Sequence, residues 1–272
     1  LRSRMDRTLA KQFDRLKTVI TEMVDTDDCF GLRENDSRPF AVNSAFGFMS
    51  TVDALNAFKK WLMTTIHITL LADGENAWWR KYIVDGFRKG QERVFEDFRR
   101  QNPEVTGSRL DFLKQAFSSP VSQERVDVLA SRVFTELQGV TDAMAQGIQR
   151  ELTDGLTQGL NPKQIAKNIA EKVDGIGKYR AKLIAHTEIV RAHAEGQLAE
   201  LRTMGVSHVG VMVEYTTAVK GACPICKKKN GKRYTLDQAA GLIPQHPLCR
   251  CCFRPVLPSD LLPEDVGGRP TT

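Results

Sequence analysis

Cys223-Pro-Ile-Cys226, a basic turn from Lys227 to Arg233, and then His246-Pro-Leu-Cys249-Arg-Cys251-Cys252 make up the stretch around which this chain is read, for five of its six cysteines fall there. Two thiolates separated by two residues can turn back on one ion, because the short loop lets both sulfurs converge while backbone amides stabilise their charge. That is half of a tetrahedral zinc site. The other half comes from the second cluster, where His246 and Cys249 repeat the two-residue spacing and Cys251 and Cys252 offer substitutes. The expected ligands are Cys223, Cys226, His246 and one of Cys249 or Cys251. Nineteen residues separate Cys226 from His246, which leaves room for a hairpin and a short helix. With all four ligands supplied by protein the site reads as structural, since a catalytic zinc keeps an open position and usually a nearby acid or base. A disulfide pair or reduced free thiols would account for the same clustering without metal.

The charge is concentrated in the same place. The 272 residues carry a formal charge of +6. Between Tyr215 and Arg254 stand Lys220, Lys227, Lys228, Lys229, Lys232, Arg233, Arg250 and Arg254 against Asp237 alone, so the rest of the chain is close to neutral. Zinc with three thiolates shifts the cluster by about −1 and leaves it basic. Such a face suits a polyanionic or acidic partner, and solvated lysines around a zinc knuckle are the plainer explanation. At 41% hydrophobic and 26% charged residues the chain is globular and long enough for one large or two ordinary domains. No run of eighteen apolar residues occurs, so no membrane span is expected. The first residues show no secretory signal. Confinement of cysteine to one cluster plus Cys29, which reads as chemically silent, suits a reducing cytoplasm.

Helical periodicity dominates the first two thirds. Met5, Leu9, Phe13, Leu16, Ile20 and Met23 form one stripe over residues 1–24. Gly31 and Pro39 mark a loop over 25–40. A second helix is expected from a cap at Ser50 to a stop at Asp73-Gly74, and a third from Glu75 through Trp78, Trp79, Tyr82, Ile83, Phe87, Val94 and Phe98. Aromatics at this spacing read as core rather than as a base-stacking surface. A turn at 102–107 and a short helix over 108–117 follow. From Ser122 the helical pattern resumes, with a break at Gly139 and a new start capped by Thr141. Asn161-Pro162 is a strong start signal, because asparagine caps and proline fits the first helical position. Asp174-Gly175-Ile-Gly177 reads as a turn, followed by a long helix that ends at Gly205. The period then becomes two: Val209, Val211, Val213 and Tyr215 predict a strand, with Gly231-Lys-Arg-Tyr-Thr as its partner. Thr235-Leu-Asp-Gln-Ala-Ala predicts a short helix.

Two stretches of the long helical region invite a chemical reading. Gly175-Ile-Gly-Lys-Tyr-Arg-Ala-Lys-Leu-Ile184 has the form of a helix-hairpin-helix turn, whose amides approach a DNA phosphate with Lys178, Arg180 and Lys182 alongside; a plain helix–helix turn is the bland alternative. In His186-Thr-Glu-Ile-Val-Arg191-Ala-His193, Glu188 and Arg191 are three apart and can pair on one helix face. A general base with an orienting partner and a buried polar network are the two readings of it.

Taken together, Arg180-Ala-Lys-Leu-Ile-Ala-His-Thr-Glu188-Ile-Val-Arg191-Ala-His-Ala-Glu-Gly196, Val213-Glu-Tyr-Thr-Thr217, Cys223-Pro-Ile-Cys226 with Asn230-Gly231-Lys232, and Pro244-Gln-His-Pro-Leu-Cys249-Arg-Cys251 with Pro255 resemble the bacteriophage Mu F-like head morphogenesis family, the minor head proteins of tailed phages. The resemblance covers roughly residues 125 to 256. His186 departs from it, since the family more often has arginine before the Thr-Glu pair. The resemblance implies a virion component in few copies, in the capsid interior near the portal and made in the bacterial host cytoplasm. Its implied partners are the portal protein and capsid or scaffold proteins, with a role in DNA packaging or ejection and no established catalysis. The competing readings are a zinc-containing DNA-binding protein and a nuclease acting on phage DNA.

The expected fold is mainly α, a multi-helix body followed by a small β-rich, zinc-stabilised C-terminal module. Its segments are a variable helical region (1–121), a helical core of the head-morphogenesis domain (122–205), a strand plus Cys/His zinc-binding module (206–256) and a flexible tail (257–272). Double-stranded DNA would be contacted by Lys178, Arg180 and Lys182 and by Lys227, Lys228, Lys229, Lys232 and Arg233.

Overall fold

The computed structural model describes residues 1–30, 51–71, 77–101, 119–204, 212–218 and 221–256. The expected cap at Ser50, the stop at Asp73-Gly74, the helix over 108–117 with the turn before it, the end at Gly205 and the tail lie outside those residues, as does most of the loop over 25–40. Among the described residues the chain is mainly helical, with one small antiparallel sheet near its C-terminal end. The helices are α1 (Arg2–Thr21), α2 (Thr51–Leu70), α3 (Arg80–Gln101), α4 (Pro120–Thr157), α5 (Pro162–Thr203), α6 (Pro224–Lys229) and α7 (Leu236–Ala239), with a π-helical turn, Glu22–Thr26, after α1. The strands are β1 (Met212–Thr216), β2 (Arg233–Thr235) and β3 (Cys252–Val256).

Two compact units divide the chain. Unit 1 comprises 1–3, 79–133 and 183–272, and unit 2 comprises 4–78 and 134–182. Both long helices are therefore shared between units, and the division differs from the segments expected from the sequence: the expected boundary at 121/122 falls inside α4.

In unit 2 the periodic stripes do what their spacing predicts. Met5, Leu9, Phe13, Leu16 and Ile20 of α1 are buried. Past Thr21 the wider π-helical turn changes the phase, so Val24 rather than Met23 takes the next inward position. Phe58, Leu62, Ile66 and Leu70 of α2, Leu137, Met144, Ile148 and Leu152 of α4, and Ile165, Ile169 and Val173 of α5 are buried as well. α4 ends at Gly159, whose φ of +67° lets Leu160 N–H reach the Gly155 carbonyl (2.9 Å) and Gly159 N–H reach that of Leu156 (3.2 Å). Asn161 then caps α5 by accepting from Gln164 N–H at 2.9 Å, with Pro162 in the first turn.

Two expected breaks are absent. α4 runs unbroken through Gly139, and Thr141 lies inside it, donating to the Gln138 carbonyl at 2.8 Å instead of capping a new helix. α5 likewise runs through Gly175 and Gly177. Glycine costs a helix only about 1 kcal/mol relative to alanine, which 38 and 42 residues of continuous helix readily absorb. Gly177 has a packing reason to be there: a Cβ would lie 2.9 Å from the Phe13 ring.

Unit 1 is built on a close crossing of α3 and α5. A Cβ on Gly90 would sit 2.0 Å from the His193 carbonyl oxygen, and one on Gly196 2.0 Å from that of Phe87. Backbone meets backbone at these two points. The α3 aromatics follow the core reading, with Trp79, Tyr82 and Phe87 buried, although the helix begins at Arg80, after Trp79, rather than at Glu75. The sheet has the order β2-β1-β3. β1 pairs with β2 through Val213 and Tyr234 and with β3 through Tyr215 and Phe253, both antiparallel. β3 was not expected from the sequence. Its Phe253 is fixed from α5 by Gln197, which accepts from the Phe253 N–H at 3.1 Å and donates to its carbonyl at 2.7 Å. Val213, Tyr215, Cys226, Leu236, Ile243, Cys249 and Phe253 form one apolar cluster with Val94 of α3 and Val190, Leu198 and Leu201 of α5. The β-rich region thus has no core of its own, and shares that of the helices in its unit.

Candidate metal centre

Each half of the Cys/His cluster is a tight turn whose backbone aims two side chains the same way. Cys223 caps α6 with extended backbone, and Pro224 opens the helix. Its sulfur accepts from the Cys226 N–H at 3.4 Å, while Lys227 N–H bonds the Cys223 carbonyl at 2.9 Å. In the second half, Leu248 adopts a left-handed φ of +61°, and Cys249 N–H closes onto the His246 carbonyl at 3.1 Å. Leu248 N–H points at Thr187 Oγ1 of α5, 3.4 Å away. Between the halves lie β2 and α7, the latter opened by the expected start: Thr235 caps it, and Gln238 completes a reciprocal capping box.

The structure brings together all five residues that the sequence proposed as ligands. Cys223, Cys226 and His246 form one group and Cys226, Cys249 and Cys251 a second, each with its donor atoms within 4.8 Å of one another. Cys226 belongs to both. His246 Nε2 is 3.1 Å from the Cys223 sulfur and 3.3 Å from that of Cys226, and the Cys226 and Cys249 sulfurs are 3.9 Å apart. A tetrahedral ion with zinc-like bonds has ligand–ligand edges of about 3.5 to 3.8 Å; the two nitrogen–sulfur separations are shorter than that and the sulfur–sulfur one slightly longer, so the donors converge to within a few tenths of an ångström of such edges. Cys252 stands outside both groups. The alternation of β3 turns Phe253 into the apolar cluster and Cys252 to the opposite face, which removes it as a substitute ligand.

The surroundings pull the donors in both directions. His246 Nδ1 is 2.7 Å from the Pro247 carbonyl, which can only accept, so Nδ1 carries the proton and Nε2 presents its lone pair to the sulfurs. The same carbonyl raises the pKa of the imidazole. The Cys226 N–H lowers the Cys223 thiol. For Cys249 burial pushes upward, but the amides of Cys251 and Gln245 outweigh it and the net shift is downward. Burial raises both Cys226 and Cys251, and the Tyr215 hydroxyl, 3.5 Å from the Cys226 sulfur, works against that for Cys226. Cys223 and Cys249 therefore lean towards their ligating thiolates, whereas the raised Cys226 and Cys251, and His246, whose raised pKa favours the imidazolium, would each have to give up a proton to an ion. These residues could hold a metal ion. All six cysteines are free thiols, and burial with Asp28 beside it pushes Cys29 up to about 12, in keeping with its silent reading.

The polar pair of α5 sits in the same unit. Glu188 is buried, with Arg191 at 3.4 Å on its own helix and Arg132 of α4 at 3.5 Å. A carboxylate held between two guanidiniums is a helix-pinning network, the structural of the two sequence readings. Thr187, Gln197 and Tyr215 were not singled out from the sequence. Their partners lie 61, 56 and 11 residues away, beyond any local pattern.

The basic residues divide. Lys178, Arg180 and Lys182 are exposed on α5, and Lys178 pairs with Asp174 at 3.4 Å. The hairpin turn proposed for them does not exist, because residues 175–184 are continuous helix and their amides are used within it. No helix N-terminus is available there to meet a phosphate. Lys227, Lys228 and Lys232 are exposed around the end of α6, and Lys229 and Arg233 are half-buried.

Residues 146–254 match the family described as phage Mu protein F like protein. The match includes the Thr187–Arg191 segment, all three strands down to Arg254 and every candidate ligand. It begins inside α4, later than the resemblance read from the sequence. No curated protein and no solved structure matches the chain.

Proposed function

We propose that this protein is a minor head protein of a tailed phage, a non-enzymatic virion component that assists head morphogenesis. The observation that carries this reading is the family match, which spans the polar helix segment, the sheet and the Cys/His cluster as one continuous unit of sequence. Head morphogenesis is the coarse part of the proposal. The finer part places the protein in the capsid interior near the portal, in contact with portal, capsid or scaffold proteins, during procapsid assembly and DNA packaging or ejection. Among the described residues no helix is long and apolar enough to cross a membrane.

Within that role we assign the Cys/His cluster to structural zinc held by Cys223, Cys226, His246 and Cys249. The repeated two-residue spacing and the downward shifts of Cys223 and Cys249 support Cys249 over Cys251. A bound ion would tie the α6 turn to the His246–Cys249 turn, which β2 and α7 separate in the chain. It would also compensate a region that buries too little apolar area alone, since structural zinc contributes on the order of 10 kcal/mol of apparent folding energy. Lys227, Lys228, Lys229, Lys232 and Arg233 would then form a rigid basic edge able to face packaged double-stranded DNA. The exposed Lys178, Arg180 and Lys182 contribute, if at all, through side-chain charge rather than through helix amides.

Quantitative mass spectrometry of purified virions, with full particles compared to particles that have ejected their DNA, tests the role. A low, fixed copy number per particle is expected. Absence from both particle types, with the protein abundant in the lysate, would reject the virion reading and bring forward the zinc-containing DNA-binding or nuclease alternative, which cleavage of supercoiled plasmid with magnesium or manganese would then separate.

A further inference from the structure

Beside the Cys/His cluster, whose Cys251 helps to line it, unit 1 contains a cavity of about 390 Å³ with one-sided charge. Arg2, Lys89, Arg93 and Arg250 line it, and among the described residues that do so none is a carboxylate. They come from three places in the fold: Arg2 from α1, Lys89 and Arg93 one turn apart on α3, and Arg250 from between Cys249 and Cys251. Among the described residues Arg93 alone of these four has a carboxylate partner, Asp97 at 2.9 Å. Arg2 donates to His186 Nε2 at 3.0 Å, and Lys89 and Arg250 form no ion pair among the described residues.

Four cations gathered with one paired carboxylate repel one another, and that repulsion adds to burial at the cavity's own histidine. Burial, followed by Arg93, Arg2 and Lys89, pushes His193 down to about 4, so it lines the cavity as a neutral imidazole at pH 7.

We propose that this cavity binds a phosphoryl group. Guanidinium forks match tetrahedral oxyanions bidentately, and three of the four cations are arginines. A carboxylate would neutralise one of these charges, whereas a phosphate dianion or a pyrophosphate answers several. The volume lies at the small end of ligand pockets, enough for pyrophosphate or a mononucleotide phosphate. The phosphoryl group can come from a free nucleotide or from a nucleic acid. The inference depends neither on the virion reading nor on the identity of the metal.

Isothermal titration calorimetry of pyrophosphate into the full chain at physiological ionic strength tests it, with a 5′-mononucleotide and a short DNA duplex as separate arms. Saturable binding at one site is expected, weakened about tenfold or more by Lys89→Gln and by Arg250→Gln. Lys163→Gln, an exposed lysine of unit 2, should leave it unchanged. Tighter binding of the mononucleotide than of pyrophosphate would identify a free nucleotide as the source. Duplex binding that pyrophosphate displaces would identify a nucleic acid. No saturable pyrophosphate binding, or an equal loss in Lys163→Gln, would overturn the proposal. Should Arg250→Gln unfold the Cys/His region, Lys89→Gln, exposed on α3, decides the question alone.

Discussion

Unit 2 and unit 1 bury different chemistry. Of the buried polar side chains among the described residues, Gln91, Asp97, Ser122, Glu188, Gln197 and Glu200 belong to unit 1, and only Thr141 belongs to unit 2. Unit 2 is held by repetition, with apolar residues every three or four positions on amphipathic helices. Unit 1 is held by particular pairings: Gln197 with Phe253, Glu188 with Arg132 and Arg191, Cys226 with both cysteine groups, and glycine with backbone. Repetition tolerates single changes because each contact is one of many. A buried polar pair does not, because removal of one partner strands the other.

The largest break of that contrast is expected at Cys226, the sulfur common to both ligand groups. Cys226→Ser should lose zinc and destabilise unit 1 by at least about 4 kcal/mol, as loss of a structural metal does. The shared apolar cluster carries the damage beyond the β-rich region into α3 and the second half of α5. Residue-resolved hydrogen exchange and metal analysis check this: protection should vanish over 212–256 and weaken over 190–201, while 137–152 and 165–173 keep theirs. An unchanged melt with unchanged exchange would remove the structural-metal assignment. The next effect is steric. Gly196→Ala places a methyl 2.0 Å from the Phe87 carbonyl oxygen, and a destabilisation of about 3 kcal/mol or more is expected in urea unfolding.

Glu200 sharpens the comparison through pH. Burial raises its pKa to about 7, opposed only by the hydrogen bond from Gln91 Nε2 at 3.1 Å. The folded state therefore holds this proton more tightly than the unfolded chain, whose carboxyl titrates near the usual 4.5. Stability from this group is full below pH 4.5, falls as pH rises to 7 and stays lower above. Glu200→Gln should accordingly gain up to about 2 kcal/mol relative to the native chain at pH 8 and little at pH 5. Parallel urea titrations at the two pH values read the difference. The smallest effect belongs to unit 2. Gly139 and Gly175 lie mid-helix with nothing within 4 Å of an added Cβ. Their alanine variants should each raise stability by about 0.5 to 1 kcal/mol.

The same contrast decides what could be read in advance. The stripes of α1, α2 and α5, the Asn161-Pro162 start and the helix start at Thr235 are local, so spacing and residue type were enough to find them. The candidate ligand residues, which the structure brings together, could be picked out because two-residue spacing is itself a local geometry. Gly139, Gly175 and Gly177 were misread as breaks, since the sequence alone does not tell a glycine kept for space beside Phe13, or simply tolerated in a long helix, from one that ends it. β3 went unread because Cys252-Phe-Arg-Pro-Val holds a proline and joins directly onto the ligand cluster. Gln197, Thr187 and Glu200 gained their meaning only from partners 56, 61 and 109 residues away.

The two-point grip of Gln197 on Phe253 also settles how this sheet can meet other chains. Among the described residues β3 is an outer strand, and the residues whose backbone turns away from β1 are Phe253 and Pro255. Gln197 takes the N–H and the carbonyl of the first, and the second has no N–H to give. The strand offers no free donor along that side, so another polypeptide cannot zip onto it by strand addition. Another chain has to recognise this side through side chains, and edge-to-edge polymerisation through it is disfavoured.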